Sequence, residues 1–153
     1  MADNIQGFIK ELAFEEALTH HLLDHGWNEV IKNPAEEQLV QNWADIIYDN
    51  NREIDKLGNY PLTASEMKQV MDQVNMKSSP YEMNRFINGK QVCIKRDNEA
   101  DTNNFGKEVY LKIFDPMEIS SGQSRYQIAR QPKFKTADSM LGDRRGDMML
   151  LIN

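Results

Sequence analysis

Asp147 opens an uninterrupted apolar run, Met148 to Ile152, close to Asn153, where the sequence stops. A carboxylate at the mouth of a buried strand is a good place to hold a divalent cation, because the strand fixes its position while the edge stays wet. The same side chain could instead cap the strand or pair with Arg144 or Arg145. Glu15 is the second candidate. With Phe14, Leu18 and Leu22 turned inward on a helix, Glu15 projects at the edge of that apolar face and Glu16 well away from it. A half-inward carboxylate is costly unless a metal or a cation pairs with it, or unless the side chain tucks back to solvent.

A third group could bind rather than react. Arg125, Arg130, Lys133, Lys135, Arg144 and Arg145 stand against Asp138 and Asp143, with Tyr126 and Phe134 between them. That composition suits contact with a phosphate backbone, and a solvated basic face is the structural alternative. Other signals are discounted. His21 and His25 have an i, i+4 metal spacing but lack the glutamate of a zinc-protease helix. Arg145-Gly146-Asp147 matches the adhesion tripeptide, yet it runs straight into a strand and no signal peptide precedes it. There is no glycine-rich phosphate loop, so nucleotide hydrolysis is not located in this segment.

The elements that must position these residues read as helices first and strands after. Ile5, Phe8, Ile9 and Leu12 have helical spacing, and Phe14, Leu18 and Leu22 form a second series out of phase with the first, which predicts a break or kink near Leu12. Gly26 is a C-cap, followed by Trp27 as a core anchor. Asn33-Pro34 predicts the start of a helix reaching about Asn50. Thr63-Ala64-Ser65-Glu66 is a capping box for a helix to about Met76; Pro80 interrupts, and Tyr81 to Ile87 add a short helical turn before the Asn88-Gly89 turn. Beyond Lys90 the period becomes two. Strands are predicted around Val92 and Ile94, from Val109 to Ile113, and around Tyr126 and Ile128. Ser120 to Gln123 reads as a turn and Lys135 to Gly142 as a loop. Met148 to Ile152 is apolar without alternation, as in a strand covered on both faces. The expected class is α/β (α+β), one domain over 1–153, helical to about 88 and strand-rich from about 89, with N-terminal helices packed on a mixed or antiparallel sheet.

Charge is distributed unevenly. The formal net charge is -6, with 14 acidic and 6 basic residues in 1–80 and 10 acidic and 12 basic in 81–153. A polyanion contact therefore belongs to the second half. The one cysteine, Cys93, excludes an internal disulfide, and no apolar run approaches membrane-spanning length. A soluble, cytoplasmic protein is expected.

A longer series of phrases carries a family resemblance. Phe14-Glu15-Glu16-Ala17-Leu18 with Gly26-Trp27, then NPAEEQLVQNWADIIYDNNREIDKL, INGKQVCIKRDN, FGKEVYLKIFD, SRYQIARQPKF and RRGDMMLLIN, resembles the N-terminal region of the restriction subunit of type I restriction-modification enzymes. It covers essentially the whole chain. The resemblance implies a magnesium-dependent nuclease domain of the PD-(D/E)XK type, with an incomplete restriction-endonuclease-like fold here. The family's strand aspartate falls on Asp147 and its helix glutamate on Glu15. In the family a following strand carries a Glu-x-Lys, and this sequence stops at Asn153, the first residue of the turn leading to it.

The resemblance also implies a parent protein. That parent is expected to cleave double-stranded DNA, to carry an ATP-driven translocating motor outside this chain, and to work with methylation and specificity subunits. Metal-assisted phosphodiester cleavage needs carboxylates to fix the cation and usually a lysine to orient the nucleophile. This chain alone is therefore expected to be inactive. The alternative is a non-catalytic DNA-binding or subunit-docking module.

Overall fold

The computed structural model describes residues 2–122, 124–137 and 142–152. Helices alternate with mixed and antiparallel sheets, which makes the chain α/β, as its change of period predicts. Two compact units form, one from Met1–Gln38 with Ser124–Asn153 and the other from Leu39–Gln123.

The first unit begins with α1, Ala2–Asp24, a continuous helix with no break at Leu12. Both apolar series ride on it, and the consequence is exposure: Ile5, Phe8, Ile9 and Phe14 face solvent. The helix stops where Gly26 adopts φ 96. There the Trp27 N–H reaches the Leu22 carbonyl (3.1 Å) and the Gly26 N–H that of Leu23 (3.4 Å), the paired bonds of a Schellman cap. Trp27 then packs edge-on against Tyr126, with ring centroids 5.4 Å apart.

Strand β1, Glu29–Lys32, follows. It runs parallel to β4, Tyr126–Arg130, with Lys32 opposite Arg130. Strand β7, Met148–Ile152, lies antiparallel on the other side of β4, giving the order β1-β4-β7. Ile128 and Ala129 of the central strand are fully buried, whereas Leu150 and Ile152 are about half exposed. The expected strand is present, but the expected cover on both faces is not. As an edge strand, β7 has its burial set by its neighbours and not by its own composition. A two-residue ribbon, β5 (Lys133–Phe134) with β6 (Arg144–Arg145), completes this unit; residues 138–141 of the expected loop lie outside the described residues.

The second unit contains most of α2, Glu36–Asn50, then α3 (Ala64–Asn75), α4 (Pro80–Ile87), β2 (Gln91–Lys95), β3 (Glu108–Lys112) and α5 (Pro116–Ser121). Asn33 does not cap α2. It sits at φ 49 just after β1, and the α2 entrance is closed instead by the Ala35 N–H donating to Gln38 Oε1 (2.8 Å). The capping box of Thr63 and Glu66 forms, and Ser79 with Glu82 makes a second one ahead of Pro80. The segment read as a Ser120–Gln123 turn is partly helical, since α5 runs through Ser121.

Alternation places Val92, Ile94, Val109 and Leu111 on one face of the β2–β3 pair, where they join Ile47, Leu57, Met67, Val70 and Phe86 in a single core. Each large side chain so buried contributes about 1.5–3 kcal/mol. Both outer edges of the pair are closed by side-chain amides. Gln69 bonds the Lys95 N–H (2.8 Å) and carbonyl (2.9 Å), and Asn51 bonds the Lys112 N–H (2.9 Å) and carbonyl (2.8 Å). Each amide takes the place of a neighbouring strand, which blocks further strand addition.

Candidate functional site

On α1 the inward stripe runs through Leu12, Glu15, Thr19 and Leu22, and Phe14 lies outside it, 68% exposed. Glu15 is consequently buried, at 6% exposure, and not merely placed at the edge of an apolar face as expected. Phase explains the difference, because one straight helix has to serve both apolar series with a single buried stripe. Thr19 donates its hydroxyl to the Glu15 carbonyl (2.7 Å), an i−4 bond that satisfies its own buried oxygen.

A buried carboxylate needs compensation. It comes from the end of β4, where Arg130 Nη2 lies 3.5 Å from Glu15 Oε2 and Gln131 Nε2 lies 3.4 Å from the same oxygen. Both contacts are long. The firm partner of Arg130 is Glu16, with Nη1 to Oε2 at 2.7 Å. That hydrogen bond, reinforced by the opposite charge, holds the Glu16 carboxyl below its ordinary value and raises the Arg130 guanidinium. Glu16, which points away from the apolar face, thus shares Arg130 with Glu15, taking Nη1 closely and leaving Nη2 at the longer distance.

Asn33 and Gln131 follow the parallel strands β1 and β4, and the Asn33 N–H donates to the Arg130 carbonyl (2.8 Å). Both have φ 49, and among the described residues they are the only non-glycines with positive φ. With Leu12, Lys32 and Arg130 they line a pocket of about 220 Å³. The carboxyl ends of parallel strands are where open α/β sheets characteristically bind ligands.

Asp147 sits in a bend just ahead of β7 and is exposed. Its carbonyl accepts the Gln131 N–H at 2.9 Å. Among the described residues neither Arg144 nor Arg145 forms an ion pair with it. One residue, Gln131, therefore reaches Glu15 with its side chain and Asp147 with its backbone. Among the described residues no three His, Cys, Asp or Glu side chains cluster tightly enough to enclose a metal.

The basic candidates separate by partner. Arg130 is held by the two glutamates, and Lys135 is ion-paired with Glu37. Arg125, just before β4, is exposed. Lys133, Arg144 and Arg145 are exposed on the β5–β6 ribbon, with Lys133 directly opposite Arg145. Lys32, Asn33 and Gln131 were not legible as site residues. Asn33 read as a helix cap, and an isolated glutamine carries no periodic signal.

Over 122 residues, 79% of its length, the chain is 33% identical to a type I restriction enzyme endonuclease subunit of Staphylococcus saprophyticus. Over 143 residues, 94% of its length, it is 28% identical to type I restriction enzyme endonuclease subunits of two strains of Staphylococcus aureus. The chain is a homologue of type I restriction enzyme endonuclease subunits. It spans 12% to 14% of the length of these relatives. No family model and no solved structure matches it. Among the described residues no helix of this homologue is long and apolar enough to cross a membrane.

Proposed function

We propose that this chain is part of the nuclease domain of a cytoplasmic type I restriction enzyme, of the PD-(D/E)XK type, and that Asp147 and Glu15 are two ligands of its magnesium ion. The observation that carries the reading is the position of Gln131 between the two acids, bonded to the carbonyl of one and the carboxylate of the other. The names of the relatives supply the endonuclease. Bound magnesium acidifies a water and braces the phosphate. The chain's own part is to present Asp147 at the mouth of β7, to keep Glu15 out of water on α1, and to hold the DNA backbone with Lys133, Arg144 and Arg145, flanked by Arg125 and Lys135. In the whole protein this domain works with an ATP-driven motor and with methylation and specificity subunits on double-stranded DNA. By itself the chain is expected not to cleave.

Asp147→Ala, made in the complete endonuclease subunit and assayed in the assembled enzyme, tests this. Loss of an outer-shell partner costs about 10- to 100-fold, so loss of a ligand is expected to reduce DNA cleavage by at least that, with ATP hydrolysis retained. Undiminished cleavage would overturn the assignment. The second reading, a non-catalytic DNA-binding or docking module, is favoured by the Arg130 guanidinium beside Glu15, a cation already in place. On that reading Glu15→Gln and Asp147→Ala both leave cleavage unchanged.

A further inference from the structure

Gln131 is an unusual residue for its backbone. Left-handed φ is readily taken by glycine and tolerated by asparagine, while a longer side chain there is uncommon and marks a place where strain serves something. Asn33 meets the first description and Gln131 does not. A glycine would satisfy the turn after β4 without strain, but it would bring no side chain to Glu15. The glutamine does two things that a glycine could only half do. Its turned backbone sends the N–H to the Asp147 carbonyl at 2.9 Å, and its amide reaches the Glu15 carboxylate at 3.4 Å.

We propose that Gln131 is a positioning residue that holds Glu15 and Asp147 in one frame, setting the first through its side chain and the second through its main chain. This rests on the reading of those two acids as metal ligands. A partner in contact with a ligand and not with the metal orients that ligand, and its loss typically costs about 10- to 100-fold in metal affinity. Arg130 also reaches Glu15, with Nη2 3.5 Å away, but its Nη1 is held by Glu16 at 2.7 Å, and it is Gln131 that bonds both acids.

Gln131→Gly separates the two roles, since glycine keeps the turn and the N–H and removes only the amide. Manganese serves as the probe for the magnesium site, titrated into the purified complete endonuclease subunit by calorimetry, with thermal melting measured alongside. The expected result is an unchanged or higher melting temperature and roughly tenfold weaker manganese binding. Gln131→Asn, which keeps an amide on a shorter stem and tolerates the turn, is expected to fall between. In the metal-free chain the Glu15 carboxyl carbon resonance is expected to move in Gln131→Gly. Wild-type manganese affinity in Gln131→Gly, or a Glu15 resonance that does not move, overturns the positioning role while leaving the metal site standing. If the wild type and Asp147→Ala both fail to bind manganese, the metal-site reading itself falls, and the positioning role with it.

Discussion

Lys133 and Arg145 stand directly opposite each other across the β5–β6 ribbon, two like charges in register. Such a pair is unfavourable in the free protein. Neither side chain has an ion-pair partner among the described residues, and Arg144 adds a third charge on the same strand. A bound polyanion would relieve the repulsion, so the ribbon is the part of the basic segment best placed to hold a phosphate backbone. Lys133→Ala and Arg145→Ala are each expected to weaken binding of a labelled duplex uniformly across sequences and to lower the salt slope by about 1. Lys135→Ala should do less, because Lys135 is already committed to Glu37. Fluorescence anisotropy over a range of salt concentrations measures this, and an unchanged slope in both ribbon variants would remove the ribbon from the DNA interface.

How much of this was legible depends on the range of the interaction that fixes each feature. The capping box of Thr63 with Glu66 is complete within four residues and was legible in the sequence, whereas the equally local box of Ser79 with Glu82 was not, because Pro80 reads as an interruption. Strand β1 is different. Only Val30 and Ile31 mark it, and its existence depends on pairing with β4 about a hundred residues later, Lys32 against Arg130. Glu15 was legible as a costly carboxylate, but its compensation by Arg130 and Gln131 was not, because those residues come from a distant strand end. Met148 to Ile152 was legible as a strand and misleading about burial, since only the sheet order shows that it is an edge.

The second capping box gives a pH prediction. Backbone N–H groups of Ser78 and Ser79 donate to the Glu82 carboxylate and hold it below the ordinary glutamate value of 4.5. A depressed acid contributes stability that is fully present above its unfolded pKa and is lost as pH falls through the folded one. Helix α4, only eight residues long, is therefore expected to fray selectively below about pH 4.5. Glu82→Gln, which keeps an acceptor without the charge, should abolish that pH dependence, and Ser79→Ala should cost about 1 kcal/mol at any pH. Amide exchange of α4 against pH checks both. Equal acid sensitivity in Glu82→Gln would exclude Glu82 as the cause.

The largest expected stability effect lies in the second unit, at Arg96. Its guanidinium is fully buried and meets Glu66 at 2.8 Å, Asp101 at 3.8 Å and the Tyr60 carbonyl at 3.0 Å, while Nε has no partner among the described residues. Glu66 is equally buried and does more than neutralise it. Its oxygens also accept the Thr63 and Asp97 N–H groups, both at 2.9 Å, so one carboxylate ties the start of α3 to the segment after β2. Removing one member of a buried pair strands the other charge, at about 3–5 kcal/mol. Glu66→Ala and Arg96→Ala are each expected in that range by chemical denaturation. A paired apolar replacement, Glu66→Leu with Arg96→Met, often restores stability when the two groups serve only each other. Here it should recover part of the loss and not all, because the Thr63 and Asp97 N–H groups lose their acceptor whatever replaces the arginine. A double variant as stable as wild type would show that those two backbone bonds contribute nothing, and that Glu66 serves the arginine alone.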